Sequence, residues 1–254
     1  MSLDITRILR NGYNVVDLSE FVKPMAWCMA GQSTPRLYHL RTFAYPLPGA
    51  EWMTQVTMET HIGSHIEGPP HYMDAFENCL GVGKDLSQIP LDMFFGEAVL
   101  IVTSKLSDGA PITKEFLEQE GVRKDDIVII GLSGRSPEDS NAPRKVPYMS
   151  DGAVDWLASL PIKMIAFDRT AMPGLEDNGR INDPKRTPQT VRGRFESMYL
   201  HKTFLSRWPP INIIECIGNL DRLTKKRFFF IAWPANLGGL EAFPVRCVAF
   251  EPKK

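Results

Sequence analysis

The segment THIGSHIEGPPHY, residues 60–72, concentrates histidine and carboxylate side chains in one short stretch of the chain. Three of the five histidines, His61, His65 and His71, lie within eleven residues, and Glu67 lies among them. Imidazole nitrogens and carboxylate oxygens are common ligands of divalent metal ions in proteins. The local fold must therefore be one that turns these side chains toward a common point.

A helix cannot do this. His61 and His65 are four residues apart, a spacing that suits one face of a helix. However, Gly63 and Gly68 flank the second histidine, and the Pro69–Pro70 pair would end any helix that reached it. The sequence therefore predicts a non-helical segment.

An extended segment places the four side chains better, because all four positions are odd-numbered and would share one face of a strand. A straight strand would still hold residues 61 and 67 about 20 Å apart, too far for one ion with ligand bonds of roughly 2 Å. The segment must therefore curl, which Gly63 and Gly68 permit. A curled loop with two imidazoles and a carboxylate would give an ion three protein ligands and leave its other coordination positions open for water, as hydrolytic sites require. The alternative is a group of ordinary hydrogen-bonded histidines.

The composition narrows the class of protein. The chain has 254 residues, with 29 Lys and Arg against 30 Asp and Glu, so no global charge favours nucleic acid or an anionic membrane. No run approaches the roughly 20 apolar residues that cross a bilayer, and the N-terminus lacks a signal peptide's apolar core. The four cysteines are scattered, which is typical of core residues in a reducing compartment. We expect a cytoplasmic protein.

Apolar, β-branched runs alternate with helical segments along the chain, which predicts an α/β protein with a single domain over residues 1–254 and mixed β-sheets with flanking helices. Thr113 and Ser150 are the expected N-caps of the two helices, and Gly121 the expected C-cap of the first. Strands are predicted at 14–20, 52–63, 97–104, 126–133, 162–168, 211–215, 227–234 and 246–250, and helices at 113–121 and 150–160.

Two further segments have irregular sequences. Residues 21–50 are rich in proline and aromatic residues, which predicts an ordered, irregular N-terminal arm. Phe21, Met25 and Trp27 in this arm indicate an apolar pocket for an aryl or cyclic amide, although ordinary packing of the arm would also explain them. Residues 172–194 form a long polar connection, typical of a solvated loop, a lid or a subunit contact.

The string H-x-G-S-H-x-E-x-P-x-H at residues 61–71 resembles the H-x-G-T-H-x-D-x-P-x-H signature of the cyclase-like metal-dependent hydrolases. That superfamily includes the bacterial kynurenine formamidases and isatin hydrolases. Residues 201–223, HKTFLSRWPPINIIECIGNLDRL, resemble its second signature, a histidine followed by an apolar strand that ends in glutamate. The resemblance extends over most of the chain and implies a cyclase-type fold, similar to a swivelling β/β/α domain.

The resemblance also implies a binuclear metal site. His61 and His65 would bind the first ion, and Glu67 would bridge it to a second. His201 would bind the second ion, and Glu215 would contact both. Zinc or manganese is expected, as one or two divalent ions per subunit, since the ligands are nitrogen and oxygen with no thiolate.

His71 matches the family's proton donor and acceptor, which also ligates metal in some members, and with Glu215 it is an expected catalytic residue. Trp27 matches a tryptophan that contacts substrate. The implied activity is hydrolysis of an aryl formamide or cyclic amide by metal-activated water. Two positions depart from the signature: Ser64 keeps the family's hydroxyl, while Glu67 is one methylene longer than the family's aspartate.

Three alternatives to amide hydrolysis stay open. The same site could open lactones, run a cyclisation, or hold a metal or ligand without catalysis, because fold and metal do not fix the substrate. The resemblance and the aromatic arm further predict a homodimer or homotetramer that acts on a small molecule, with no nucleic-acid or membrane partner.

Overall fold

The computed structural model describes residues 12–23, 35–43, 50–71, 84–107, 110–132, 147–169 and 199–253. The strands are β1 (Tyr13–Asp17), β2 (Arg36–Phe43), β3 (Ala50–Thr57), β4 (His65–Glu67), β5 (Phe95–Val102), β6 (Pro111–Ile112), β7 (Ile127–Gly131), β8 (Tyr148–Met149), β9 (Met164–Phe167), β10 (Asn212–Glu215), β11 (Arg227–Trp233), β12 (Ala242–Pro244) and β13 (Arg246–Pro252). The helices are α1 (Lys114–Gln119), α2 (Asp151–Ser159) and α3 (Tyr199–Leu205). None of these helices has both the length and the apolar character needed to span a bilayer.

Nine of these strands form one mixed sheet in the order β1-β13-β11-β5-β7-β9-β10-β4-β12. The central strands β5, β7, β9 and β10 are parallel neighbours, while both flanks of the sheet are antiparallel. Two smaller pairs, β2 with β3 and β6 with β8, lie outside it. The predicted α/β architecture with mixed strand directions is therefore confirmed.

The central strands are apolar along their whole length because both of their faces are covered. In β7, Ile127 and Ile129 contribute to one core cluster, while Val128 and Ile130 contribute to the cluster on the opposite face. All four side chains are fully buried, and each such burial stabilises the fold by about 1.5–3 kcal/mol. The continuous apolar runs thus correctly predicted the strands at the centre of the sheet.

Side-chain caps fix where the first two helices begin. The Thr113 hydroxyl accepts the backbone N–H of Phe116 at 3.3 Å, and the Ser150 hydroxyl accepts that of Ala153 at 3.2 Å. Both predicted N-caps are confirmed. Gly121 follows the end of α1 with a φ of 82°, the left-handed conformation that commonly ends a helix.

The predicted irregular arm is partly wrong. Residues 36–43 form strand β2, which pairs with β3 over eight residues from Arg36 opposite Thr57 to Phe43 opposite Ala50. Prolines at 35, 46 and 48 flank this strand without interrupting it, so the proline content of the whole segment was a misleading signal for residues 36–43. The remainder of the arm at 24–34 and 44–49, and the connection at 172–194, lie outside the described residues.

One face of β4 and β10 packs into the core cluster that contains Ile127 and Ile129, and the opposite face is turned toward the candidate site. The two strands are antiparallel, with Glu215 opposite His65. Ile66 and Ile214 are fully buried in that core cluster. Because side chains alternate along a strand, the residues on either side of these isoleucines, including Glu67, point to the opposite face, where α3 packs.

Gly63 is required by the turn that leads into β4. Its φ is 59°, and a Cβ there would overlap the Cγ2 of Val22. We expect Gly63→Ala to lower the free energy of unfolding by at least about 1–2 kcal/mol, the cost of a left-handed residue with a side chain. Gly152→Ala is the matched control, because a Cβ at that helical position meets nothing within 4 Å and should be neutral or stabilising. Urea unfolding of both variants measures the difference, and equal stabilities would contradict the assignment.

Candidate metal centre

The segment that carries the histidines curls, as its glycines predict. Bends occupy residues 60–64, strand β4 covers only His65–Glu67, and a 3-10 turn covers Pro69–His71. The left-handed conformation of Gly63 turns His61 back toward the strand. The four odd-numbered side chains therefore converge, although only two of them share a strand.

Ser64 ties this curl to the rest of the fold. Its hydroxyl donates to the backbone carbonyl of Cys216 at 2.6 Å and accepts the backbone N–H of Glu20 at 2.7 Å. Glu20 is in turn paired with Arg169 through two hydrogen bonds of 2.6 and 2.7 Å. One buried hydroxyl thus joins the end of β10 and the segment after β1 to the histidine loop.

The carboxylate of Glu67 is the centre of the site. Its Oε1 lies 3.1 Å from His61 Nδ1, 3.5 Å from His65 Nε2 and 3.4 Å from His71 Nε2. Its other oxygen, Oε2, lies 3.2 Å from Nε2 of His201, which is carried by α3. The first three histidines come from the signature segment, and the fourth comes from a helix more than a hundred residues later in the chain.

Glu215, at the end of β10, closes the far side of the site. Its carboxylate oxygens lie 3.7 Å from His65 Nε2 and 3.9 Å from His201 Nε2. Among the described residues, two groups of side chains could hold an ion, and within each group the candidate ligand atoms lie within 4.8 Å of one another. The groups are His61, Glu67 and His71, and His65, Glu67 and Glu215. They share Glu67. His61 Nδ1 also lies 3.1 Å from His65 Nε2, so the two histidines that the resemblance assigned to one ion lie side by side.

The separations between these atoms fit donors around a shared ion. Tetrahedral ligation with bonds near 2.0–2.1 Å places neighbouring donor atoms about 3.3 Å apart, while the separations around Glu67 Oε1 are 3.1–3.5 Å. Within the described part of the chain, Glu67 Oε2 is buried and accepts no hydrogen bond. A buried carboxylate oxygen in that state is costly unless a cation or donor satisfies it. These residues therefore fit a divalent metal ion.

The two buried carboxylates have opposite pKa shifts. Burial acts to raise the pKa of Glu67, but the surrounding imidazoles hold it well below its usual range. Burial, together with the negative charge of Glu67, raises the pKa of Glu215. A bound cation would favour the ionised form of both carboxylates.

The two partly exposed histidines, His61 and His71, also have opposite pKa shifts. Burial opposes charge on the His61 ring, but hydrogen bonds to Glu241 and Glu67 raise its pKa to about 10. Burial and the neighbouring imidazoles lower the pKa of His71 to about 4. His71 is therefore neutral at pH 7 and able to accept a proton.

Each of two signature histidines has a second partner on its other ring nitrogen. Nδ1 of His65 lies 2.9 Å from the backbone carbonyl of Gly63, and Nε2 of His61 lies 3.5 Å from Oε1 of Glu241. The hydrogen bond to His61 lowers the pKa of Glu241 to about 2. Nothing in the sequence marks Glu241 as a site residue, because it lies 174 residues after Glu67 in a segment without a recognisable motif, LGGLEAFP (237–244).

The predicted substrate-binding residues are only partly described. Phe21 is 81% exposed and lines a cavity of about 640 Å³ that also contacts Cys216, the residue after Glu215. Met25 and Trp27 lie outside the described residues. Their predicted role in binding an aryl substrate stays a prediction.

Comparison with known proteins gives consistent matches. Residues 4–172 match the family described as "Putative cyclase". Cyclase-like protein 1 of Oryza sativa subsp. japonica is 22% identical over 196 residues, which cover 77% of this chain and 64% of that protein. A kynurenine formamidase of Maricaulis maris is 22% identical over 199 residues, which cover 78% of this chain and 80% of that enzyme. The chain thus spans less than two thirds of the length of the rice relative.

A solved structure shares the fold. Isatin hydrolase A from Labrenzia aggregata, bound to benzyl benzoate, superposes with a TM-score of 0.71 at 18% identity and covers 98% of both chains. The predicted cyclase-type fold is therefore confirmed.

The raised pKa of His61 predicts a pH dependence of the metal-free protein. The ring titrates near 6.5 when unfolded and near 10 when folded, so its proton stabilises the fold fully below pH 6.5, and this contribution is lost as the pH rises toward 10. In excess chelator, the stability difference between wild type and His61→Gln should therefore shrink over this range in urea unfolding. His71→Gln is the control: with a pKa lowered to about 4, His71 is neutral in the folded state, and above about pH 7.5 it is mostly neutral in the unfolded state too, so from there to pH 10 its difference should stay level. A constant difference for His61 would contradict the assignment.

Proposed function

The chain belongs to the cyclase family, and from that premise we propose that it is a metal-dependent hydrolase that cleaves an amide, either an aryl formamide or a cyclic amide. The observation that carries the proposal is the Glu67 carboxylate, which meets four imidazoles within 3.5 Å while its Oε2 accepts no hydrogen bond within the described part of the chain. A cation bound there would satisfy that oxygen and would explain why imidazole nitrogens and two buried carboxylates converge on one point.

Six side chains would hold the metal, and we propose zinc or manganese in one or two sites. The donor atoms are imidazole nitrogens and carboxylate oxygens, a set that suits both ions. Glu67 belongs to both candidate groups, which supports a bridging role. The proposed ligands are His61, His65, Glu67, His71, His201 and Glu215.

A divalent ion bound there supplies Lewis-acid activation of water and of a carbonyl group. The chain contributes the proton transfers and the orientation. His71 is 26% exposed at its side chain and neutral at pH 7, so it can take a proton from the attacking water and pass it to the leaving nitrogen. Glu215, buried beside Glu67, would fix the far side of the site and hold negative charge near the reacting centre.

The substrate class rests on the protein's relatives. The cavity of about 640 Å³ beside Phe21 contributes little to this choice, because none of the six proposed ligands lines it. Similar proteins include kynurenine formamidase and an isatin hydrolase bound to benzyl benzoate, which is an aromatic ester. The ester ligand of that relative keeps lactone hydrolysis as the second candidate function.

A homodimer or homotetramer in the cytoplasm stays a prediction. Light scattering of the purified protein would establish its oligomeric state. A monomer at micromolar concentration would contradict the prediction.

Metal removal tests the proposed activity. Protein loaded with zinc or manganese should hydrolyse at least one of an aryl formamide, a cyclic aryl amide or an aryl lactone, lose activity in chelator and regain it with metal. His71→Ala should lower kcat by about 10²–10⁴-fold, the usual contribution of a general acid-base residue. Metal content of each variant, measured by elemental analysis, separates a lost proton transfer from a lost ligand.

The exposed carboxylate of Glu97 on β5 provides a control, since Glu97→Gln should have the same activity and metal content as wild type. Activity that persists in a protein shown to be metal-free would contradict the proposed chemistry. A fully loaded wild type that hydrolyses none of the three substrate classes would favour the non-catalytic alternative.

A further inference from the structure

Glu241 reaches the candidate metal centre from the edge of the main sheet, outside both signature segments. It immediately precedes β12, which pairs with β4 so that Ala242 lies opposite Glu67. The backbone carbonyl of Glu241 accepts the N–H of Gly68 at 2.8 Å. These main-chain bonds fix the Glu241 backbone beside the strand that carries the central carboxylate.

The side chain of Glu241 contacts the two residues that begin the histidine loop. The hydroxyl of Thr60 donates to its Oε1, and the same oxygen lies 3.5 Å from His61 Nε2. The other nitrogen of that ring, Nδ1, lies 3.1 Å from Glu67 Oε1. The imidazole is therefore held between two carboxylates, one on each ring nitrogen.

His65 shows the same arrangement with a different partner. Its Nε2 faces Glu67 and Glu215, while its Nδ1 lies 2.9 Å from the Gly63 carbonyl. Each ring thus directs one nitrogen toward the proposed metal position and the other to a fixed oxygen. His65 is therefore held by the loop that carries it. His61 lies on a bend, its side chain is 22% exposed, and its second partner is Glu241, in the segment just before β12.

We propose that Glu241 is a positioning residue that orients His61, so that Nδ1 of this ring faces the metal while Nε2–H is donated to the Glu241 carboxylate. The inference rests on the proposed function. Its physical basis is that a carboxylate on the outer nitrogen of a ligating histidine fixes the tautomer and ring angle and increases the basicity of the ligating nitrogen. Glu241 acts through His61 rather than as a ligand, because it contacts the nitrogen that faces away from Glu67.

Zinc affinity, measured by competition with a chromophoric chelator, tests this role. Glu241→Ala should bind zinc about 10–100-fold more weakly than wild type, the usual cost of losing such a partner. Glu241→Gln keeps an oxygen that can accept from the ring, so its loss should be smaller. Thr60→Val, which removes the hydroxyl but leaves the contact with the ring, should also lose less than Glu241→Ala.

A double-mutant cycle separates positioning from general support of the fold. In the background His61→Ala, the further change Glu241→Ala should cost no more zinc affinity, because the ring through which it acts is gone. If Glu241 only stabilises the loop, both changes should weaken binding by independent factors that multiply. Multiplying factors, or a wild-type affinity in Glu241→Ala, would overturn the proposal. Circular dichroism in chelator verifies that each variant is folded.

The same experiment distinguishes this inference from the proposed function. Wild-type protein that binds neither zinc nor manganese would contradict the proposed function itself and the inference with it. Wild type that binds zinc, with weaker binding in His61→Ala but unchanged binding in Glu241→Ala, would contradict only the role of Glu241. Glu97→Gln, which changes an exposed carboxylate on β5, should bind zinc as wild type does.

Discussion

The site depends on one buried carboxylate. Glu67 is 1% exposed, and its pKa lies well below the usual range, so the folded protein keeps a negative charge away from water. An unpaired buried charge costs several kcal/mol, and the surrounding groups must offset that cost. Four imidazoles surround Glu67, yet within the described part of the chain Oε2 accepts no well-aligned hydrogen bond, although His201 Nε2 lies 3.2 Å away. A divalent cation bound there would satisfy that oxygen and would favour the ionised form of Glu215, whose pKa is raised by burial and by the charge of Glu67.

The sheet explains how residues distant in sequence reach this carboxylate. Strand β4 has only three residues, and it lies between β10 and β12. The central Ile66 packs into the core and so directs its two neighbours to the opposite face. The β10 neighbour brings Glu215, and the segment before β12 brings Glu241. The hydroxyl of Ser64 then joins the loop to the end of β10 and to the segment after β1. The resembled signature has threonine at this position, which carries the same hydroxyl group.

The sequence predicted features whose causes are local. Apolar runs predicted β5, β7 and β9, and Thr113 and Ser150 predicted helix starts, because each depends on neighbouring residues. The curl at 60–71 was also predictable, since Gly63 and the prolines exclude the regular alternatives. Other features depend on distant partners. The meeting of His201 and Glu215 with the cluster was expected only from a resemblance, and Glu241 has no local signal because its role comes from sheet order.

A crystal structure of protein saturated with zinc or manganese, with anomalous scattering data, would show whether Glu67 and the surrounding imidazoles bind metal. We expect one or two anomalous peaks at about 2.0–2.2 Å from Glu67 carboxylate oxygens and imidazole nitrogens. Two peaks bridged by Glu67 would match the two overlapping groups of side chains. No peak at this position in saturated crystals, with the histidines in ordinary hydrogen bonds, would contradict the account.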